Sequence, residues 1–300
     1  MALDKSILVE YKQAGTILSQ ALAHAKTLIK VDANILEVCQ AVEKKIHDLG
    51  GSIAFPAQPS IDHIAAHWCP DPGSQEVFEE GMLVKFDVGV HINGRIADSA
   101  FSVDLSDDGR HQALIRASKN ARDEALKMMK PGVTLAEIGR VIQDEITAEG
   151  FSPVRNLSGH GLGEYDVHVA PSIPNFDTGD KTELEEDMVL AVEPFATPGK
   201  GKIFEQDQGN IYGYKQFKPV RSPYAREALK IIEEYNGLPF TLHWLAARMG
   251  TGQAKLALRE LVQKDVLEVY PPLQEVSSGI VSQSEHSVIV ADKPIVYTRE

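Results

Sequence analysis

Apolar positions recur at helical spacing through residues 5–29 and 34–50, and again through 111–130 and 135–149. Residues 83–103 instead alternate apolar and polar around Asn93-Gly94, the preferred two-residue turn of a β-hairpin. Apolar runs at 188–196 and 279–290 predict further strands, with another near 166–170. SIAFPAQPSIDHIAAHW (52–68) reads as a strand and loop broken by prolines, and NLSGHGLG (156–163) as a glycine-rich loop. Residues 197–220, rich in Gly, Lys and Gln, predict irregular or edge structure.

This pattern occurs twice. Asn34-Ile35-Leu36-Glu37-Val38 matches Thr134-Leu135-Ala136-Glu137-Ile138, Ile46 matches Ile146, and Gly50 matches Gly150. Each copy opens with a capping residue followed three positions later by Glu, and closes on a Gly suited to a left-handed C-terminus. Downstream, FEEGMLVKFDVGV (78–90) matches LEEDMVLAVEPFA (184–196), which places Asp87 and Glu193 in equivalent slots within apolar runs. Chance likeness between amphipathic helices would not bring the strands into step as well. A duplicated helix–helix–linker–strand unit, closed around one shared site, is the better reading.

Residues 222–272 break the rhythm. ALKIIEEYNGLPF, TLHWLAARM and TGQAKLALRELVQKDVLEVY predict three helices and a short extended piece, the order of a winged helix. Six Lys and Arg are balanced there by six Asp and Glu, so the basic footprint of a DNA-binding module is missing. A structural insert is expected.

With 43% apolar content, 300 residues can bury a large core, in one big domain or one carrying an insert. No apolar run reaches about 18 residues, the length of a membrane span. The opening MALDKSILVEY lacks the basic-then-apolar order of a signal peptide. Cys39 and Cys69 form neither a disulfide framework nor a paired-thiol motif, and are expected to be packing residues in a reducing cytoplasm. The net charge of −13 argues against broad phosphate-backbone binding.

Counting outward from the Asn93-Gly94 turn, Ile92 faces Arg95, Gly89 faces Asp98 and Asp87 faces Ala100. Asp87 and Asp98 then lie on one sheet face as diagonal neighbours, about 7–8 Å apart at Cα and able to reach a common ion. The competing reading is two polar residues facing water, which the flanking Val88, Val90, Ile96, Ala97 and Phe101 disfavour. Alone, His160 reads as a loop histidine, and Glu193 and Glu285 as edge-strand carboxylates. Together, Asp87, Asp98, His160, Glu193 and Glu285 make an oxygen-rich set with one imidazole. The four carboxylates sum to −4, which two divalent cations would neutralise, and Mn, Fe, Co or Zn suits such ligands.

The motifs FPAQPSIDHIAAH (55–67), KFDVGVHINGRIADSAF (85–101), NLSGHGLGEYDVH (156–168), AVEPFAT (191–197), YPPL (270–273) and SQSEHS (282–287) follow one another along essentially the whole chain. In them the sequence resembles the type 2 methionine aminopeptidases, in the short form typical of archaea. These belong to the pita-bread superfamily, with creatinase and the proline dipeptidases. The resemblance implies an α+β pita-bread fold: an internal pseudo-two-fold repeat, a curved antiparallel sheet covered by helices, and a winged-helix-like helical insert. It implies a catalytic domain over 1–196 and 273–300, a connecting segment over 197–221 and the insert over 222–272.

By the same matching, Asp87, Asp98, His160, Glu193 and Glu285 hold two divalent cations, with Asp98 and Glu285 bridging. His67 resembles the histidine near the substrate amino end. His168 resembles the one that bonds the scissile amide and steadies the tetrahedral intermediate, and Glu193 doubles as proton carrier. Phe55, Val167, Phe195 and Tyr270 resemble walls of a methionine pocket, although each would also serve as core packing. Ser284 and Ser99 depart from the family pattern, where Phe and Thr or Cys are commoner.

The implied activity is removal of the initiator methionine from nascent polypeptides by a cytoplasmic metallo-exopeptidase, preferably before a small second residue. A monomer with no DNA or membrane partner is expected, and ribosome association is left open. Two alternatives stand beside it: an Xaa-Pro aminopeptidase or prolidase-like peptidase on the same fold, and a non-catalytic scaffold binding RNA or ribosomes. Glu285 follows Glu193 by 92 residues, room for an insert that type 1 enzymes lack. The extra N-terminal domain of proline dipeptidases and creatinases has no room before residue 5. A dead scaffold should have lost ligands, and this sequence keeps all five.

Overall fold

The computed structural model describes residues 3–299; residues 1, 2 and 300, the outer ends of the expected catalytic domain, lie outside them. Two helix pairs form as the periodicity predicts: α1 (Lys5–Leu28) with α2 (Ile35–Asp48), and α3 (Gln112–Lys127) with α4 (Leu135–Ala148). Asn34 Oδ1 accepts from the Glu37 N–H at the start of α2, and Thr134 and Glu137 complete a reciprocal capping box at the start of α4. Each such cap is worth about 1 kcal/mol. Gly50 (φ +85°) and Gly150 (φ +83°) end the second helix of each pair.

The repeat extends into the hydrogen bonds. Phe78 N–H donates to Ala33 O at 3.0 Å, and its counterpart Leu184 N–H donates to Val133 O at 2.8 Å. Each half thus pins the start of its second helix to the segment that precedes the strand leading into the site. In the first half, Leu18, Ala21, Val42 and Ile46 bury against Val84, Phe86, Val88 and Val90. In the second, Leu114, Ala121, Ile138 and Ile142 bury against Leu190, Val192 and Val288. At about 1.5–3 kcal/mol for each large side chain, this burial presses both helix pairs onto the sheets.

Strands Ser52–Ile61, Leu83–Ile92 and Arg95–Asp104 form one antiparallel sheet. The other main sheet orders Ile295–Val296, His286–Ile289, Val189–Val192, Ser158–Gly163 and Asp166–Pro174. Serine hydroxyls stitch the halves together. Ser287 Oγ accepts from Asp98 N–H and donates to Asp98 O, and Ser102 Oγ accepts from Gln283 N–H and donates to Gln283 O.

Three local expectations change. NLSGHGLG is mostly a strand, Ser158–Gly163. Its glycines serve close approach: a Cβ at Gly159 would lie 2.2 Å from Ala191 O, and one at Gly161 2.5 Å from Ala170 O. Glu193 is not mid-strand but in the break between Val189–Val192 and Phe195–Thr197, where Pro194 offers no N–H. Glu285 likewise occupies the gap between Ser282–Gln283 and His286–Ile289.

Helices α5 (Pro223–Glu233), α6 (Leu242–Met249) and α7 (Thr251–Gln263) follow, then strand Leu267–Tyr270. They enclose a core of their own around Ile231, Phe240, Leu245, Leu258 and Leu261. Their small sheet also takes Ile211–Tyr214 as its central strand, from the stretch expected to be irregular or edge structure. No helix among the described residues is long and apolar enough to cross a membrane.

Candidate metal centre and active site

The hairpin register follows from its turn. Asn93 (φ +49°) and Gly94 (φ +83°) take the left-handed pair of conformations that such a turn requires, and Ile92 pairs with Arg95, Gly89 with Asp98 and Asp87 with Ala100. His160 comes from the second half, opposite Ala191. Glu285 is fastened by its backbone, its N–H donating to Ala100 O at 2.9 Å, and Ser99 Oγ donates to Glu285 O at 2.7 Å.

The five side chains converge. Ligand atoms of Asp98, His160 and Glu285 all lie within 4.8 Å of one another. His160 Nε2 is 3.8 Å from Asp98 Oδ2 and 3.5 Å from Glu193 Oε1. Gln283 Nε2 donates to Asp87 Oδ2 at 3.2 Å and to Glu193 Oε2 at 3.3 Å, drawing in the remaining two. Asp87 Oδ1, Asp98 Oδ1 and both Glu285 carboxyl oxygens are buried without a hydrogen-bond partner.

Such an arrangement is costly as it stands. Burial raises Asp87 to about 7, and burial together with neighbouring carboxylates pushes Asp98, Glu193 and Glu285 well above their usual range. Burial lowers His160 to about 3, so its imidazole is neutral and has a lone pair to give. Orphaned carboxylate oxygens around a neutral imidazole are what a divalent cation requires. The residues fit the group.

Beside this cluster lies a cavity of about 50 Å³ lined by Phe55, His67, Val167, His168, Tyr270 and all five acidic or imidazole groups above. Phe55 seats its ring over Gly89, where a Cβ would meet it at 2.3 Å. His67 adopts φ +63°, a strained conformation for a non-glycine residue, and its N–H is held by Gln58 Oε1 at 2.9 Å. Its ring meets Tyr270 edge-on at 5.9 Å, and burial lowers it to about 4. His168 stands exposed at the mouth, its ring 4.4 Å from that of His160. Phe195 lines an adjoining hollow with His67, His160, His168 and Glu193, while packing beside Val154 and Leu273.

Sequence reasoning missed five lining or supporting residues: Gln58, Ala66, Gln283, Ile211 and Pro239. The two glutamines carried a signal, being buried amides in apolar strands. Ile211 and Pro239 carried none, since only the packing of the helical module brings them here.

The model of metallopeptidase family M24 matches residues 9–216, which include Asp87, Asp98, His160 and Glu193. The chain belongs to metallopeptidase family M24. Among its relatives, the methionine aminopeptidase of Archaeoglobus fulgidus is 44% identical over 97% of both chains. That of Pyrococcus horikoshii is 41% identical over the full length of both, so the segment bearing Glu285 is covered as well. This M24 chain is therefore a metallopeptidase of the methionine aminopeptidase group.

Solved structures agree on the pita-bread fold. A methionine aminopeptidase from Thermotoga maritima superposes with a TM-score of 0.73 at 21% identity, covering 100% of this chain and 99% of its own. A thermophilic Arx1 reaches 0.86 at 16% identity, covering 99% and 91%. At such identities the likeness concerns fold alone; group membership rests on the archaeal relatives.

Within this M24 centre Gln283 orients two carboxylates, so Gln283→Leu is expected to weaken metal binding about 10–100-fold, as loss of an outer hydrogen bond to a ligand does. Chelator competition measures it. Unchanged affinity would reduce Gln283 to packing.

Proposed function

We propose that this chain removes the N-terminal methionine from nascent polypeptides in the cytoplasm, using two divalent cations held by Asp87, Asp98, His160, Glu193 and Glu285. Asp98 and Glu285 would help to hold both. The observation that carries this reading is the buried, uncompensated carboxylate cluster opening directly onto a small cavity whose other walls include Phe55, Val167, Ile211 and Tyr270. Cations bound there supply Lewis-acid chemistry, polarising a carbonyl and acidifying water.

The chain's own groups do the rest. Phe55, Val167 and Tyr270 take the methionine side chain, whose flexible thioether suits irregular apolar walls, with Phe195 behind the adjoining hollow. His67 lies beside the substrate's amino end. Glu193 accepts the proton of the attacking water and returns it to the leaving nitrogen as the C–N bond breaks. His168, at the mouth, hydrogen-bonds the scissile amide and supports the tetrahedral oxyanion. A small second residue is preferred.

The test compares Met-Gly-Met with peptides carrying Pro second. Release of Met from the first, at least about 10-fold faster than from any X-Pro peptide, is expected, a margin of roughly 1.4 kcal/mol in transition-state binding. Cleavage confined to X-Pro would replace the reading with a prolidase-like one. No cleavage of either, with two cations bound, would favour the scaffold.

A further inference from the structure

One side of the cavity belongs to the catalytic body and the other to the helical module. Phe55 stands on strand Ser52–Ile61, whereas Ile211, Pro239 and Tyr270 belong to the module and its sheet. Leu238, also from the module, packs into the cluster that backs Phe55 and Val167. The distance between these sides sets which first side chain fits.

One buried carboxyl group hydrogen-bonds to both sides. Glu43 projects from α2 and is only 6% exposed. Its Oε1 accepts from Ala57 N–H at 3.3 Å. That N–H is available because the strand bulges there, with its pairing to Leu83–Ile92 shifting between Phe55 and Gln58. Its Oε2 accepts from Trp244 Nε1 at 3.0 Å and meets His243 Nε2 at 3.2 Å, both on α6. His243 is likewise 6% exposed, while Trp244 is half-buried at the edge of the junction. Ala57 lies two residues from Phe55 and next to Gln58, which holds the strained His67.

We infer that Glu43 is a positioning residue for substrate specificity, a clasp that fixes the module against the Phe55 strand and so sets the width of the first-residue pocket. This rests on the methionine-removing reading above. Glu43 contacts neither substrate nor ligand, so it acts on fit rather than on the reacting atoms. Its two oxygens must both accept. An amide of the same shape presents an N–H to one of its two sides, whichever way it turns.

The experiment measures kcat and KM for wild type, Glu43→Gln and Trp244→Phe on Met-Gly-Met and Leu-Gly-Met, with bound metal counted in each. For Glu43→Gln, KM on Met-Gly-Met is expected to rise about 10-fold, within the roughly 10²-fold that a 1 Å misplacement can produce. The Met-over-Leu preference should narrow, while kcat and metal content hold. Trp244→Phe keeps an aromatic side chain, though a smaller one, and removes one donor; it should shift both quantities the same way by less, and it decides the matter if Glu43→Gln does not fold. A fall in kcat at constant KM, or an unchanged Met-over-Leu ratio, overturns the clasp. Absence of any Met preference in the wild type overturns the functional reading instead, and the clasp with it.

Discussion

Asp98→Asn is expected to abolish turnover of Met-Gly-Met and to lower the metal bound per chain. Asp98 is 3% exposed, and its Oδ1 has no hydrogen-bond partner. Its ligand atom lies within 4.8 Å of those of His160 and Glu285, at the centre of the cluster. A neutral amide keeps the shape but loses the charge, and turns an N–H toward the cation. The loss should exceed about 10³-fold, beyond the roughly 10–100-fold of an outer hydrogen bond. Misfolding is not the cause to expect. The backbone bond from Asp98 N–H to Ser287 Oγ survives, and removing one carboxylate relieves its repulsion with Asp87. Kinetics, metal analysis and melting of the metal-free variant check this together. Full activity at unchanged stoichiometry would contradict the site.

His168→Ala is expected to fold and bind metal normally yet lose about 10²- to 10⁴-fold in kcat, the range for a positioned proton-transfer or oxyanion group. Its ring lies at the open mouth against His160, so truncation leaves no sealed cavity and the effect on stability should stay within about 0.5 kcal/mol. The comparison with Asp98→Asn is informative, because one variant loses the cation and the other keeps it. An unaffected rate in His168→Ala would leave that ring a packing role only.

Local chemistry made much of the site legible. The Asn93-Gly94 turn admits few geometries, so the register placing Asp87 and Asp98 on one face could be counted from the chain and is the register found. The capped helices at Asn34 and Thr134 were readable for the same reason: a cap involves residues three apart. The glycines around His160 misled, because a Gly that admits a neighbouring backbone and a Gly that turns a loop look identical in sequence. The breaks at Glu193 and Glu285 were missed because apolar flanks continue through them.

By itself the sequence determined the capped helices and the register of the Asn93-Gly94 hairpin. These depend on interactions between residues close along the chain. Only the tertiary structure decided that Glu285 is fastened to Ala100, that Gln283 spans Asp87 and Glu193, and that Glu43 reaches both Ala57 and Trp244. Most of those pairs lie roughly 90 to 200 residues apart, and no local periodicity records them. They form because burying the two halves' apolar faces leaves their few polar side chains one shared interior to occupy.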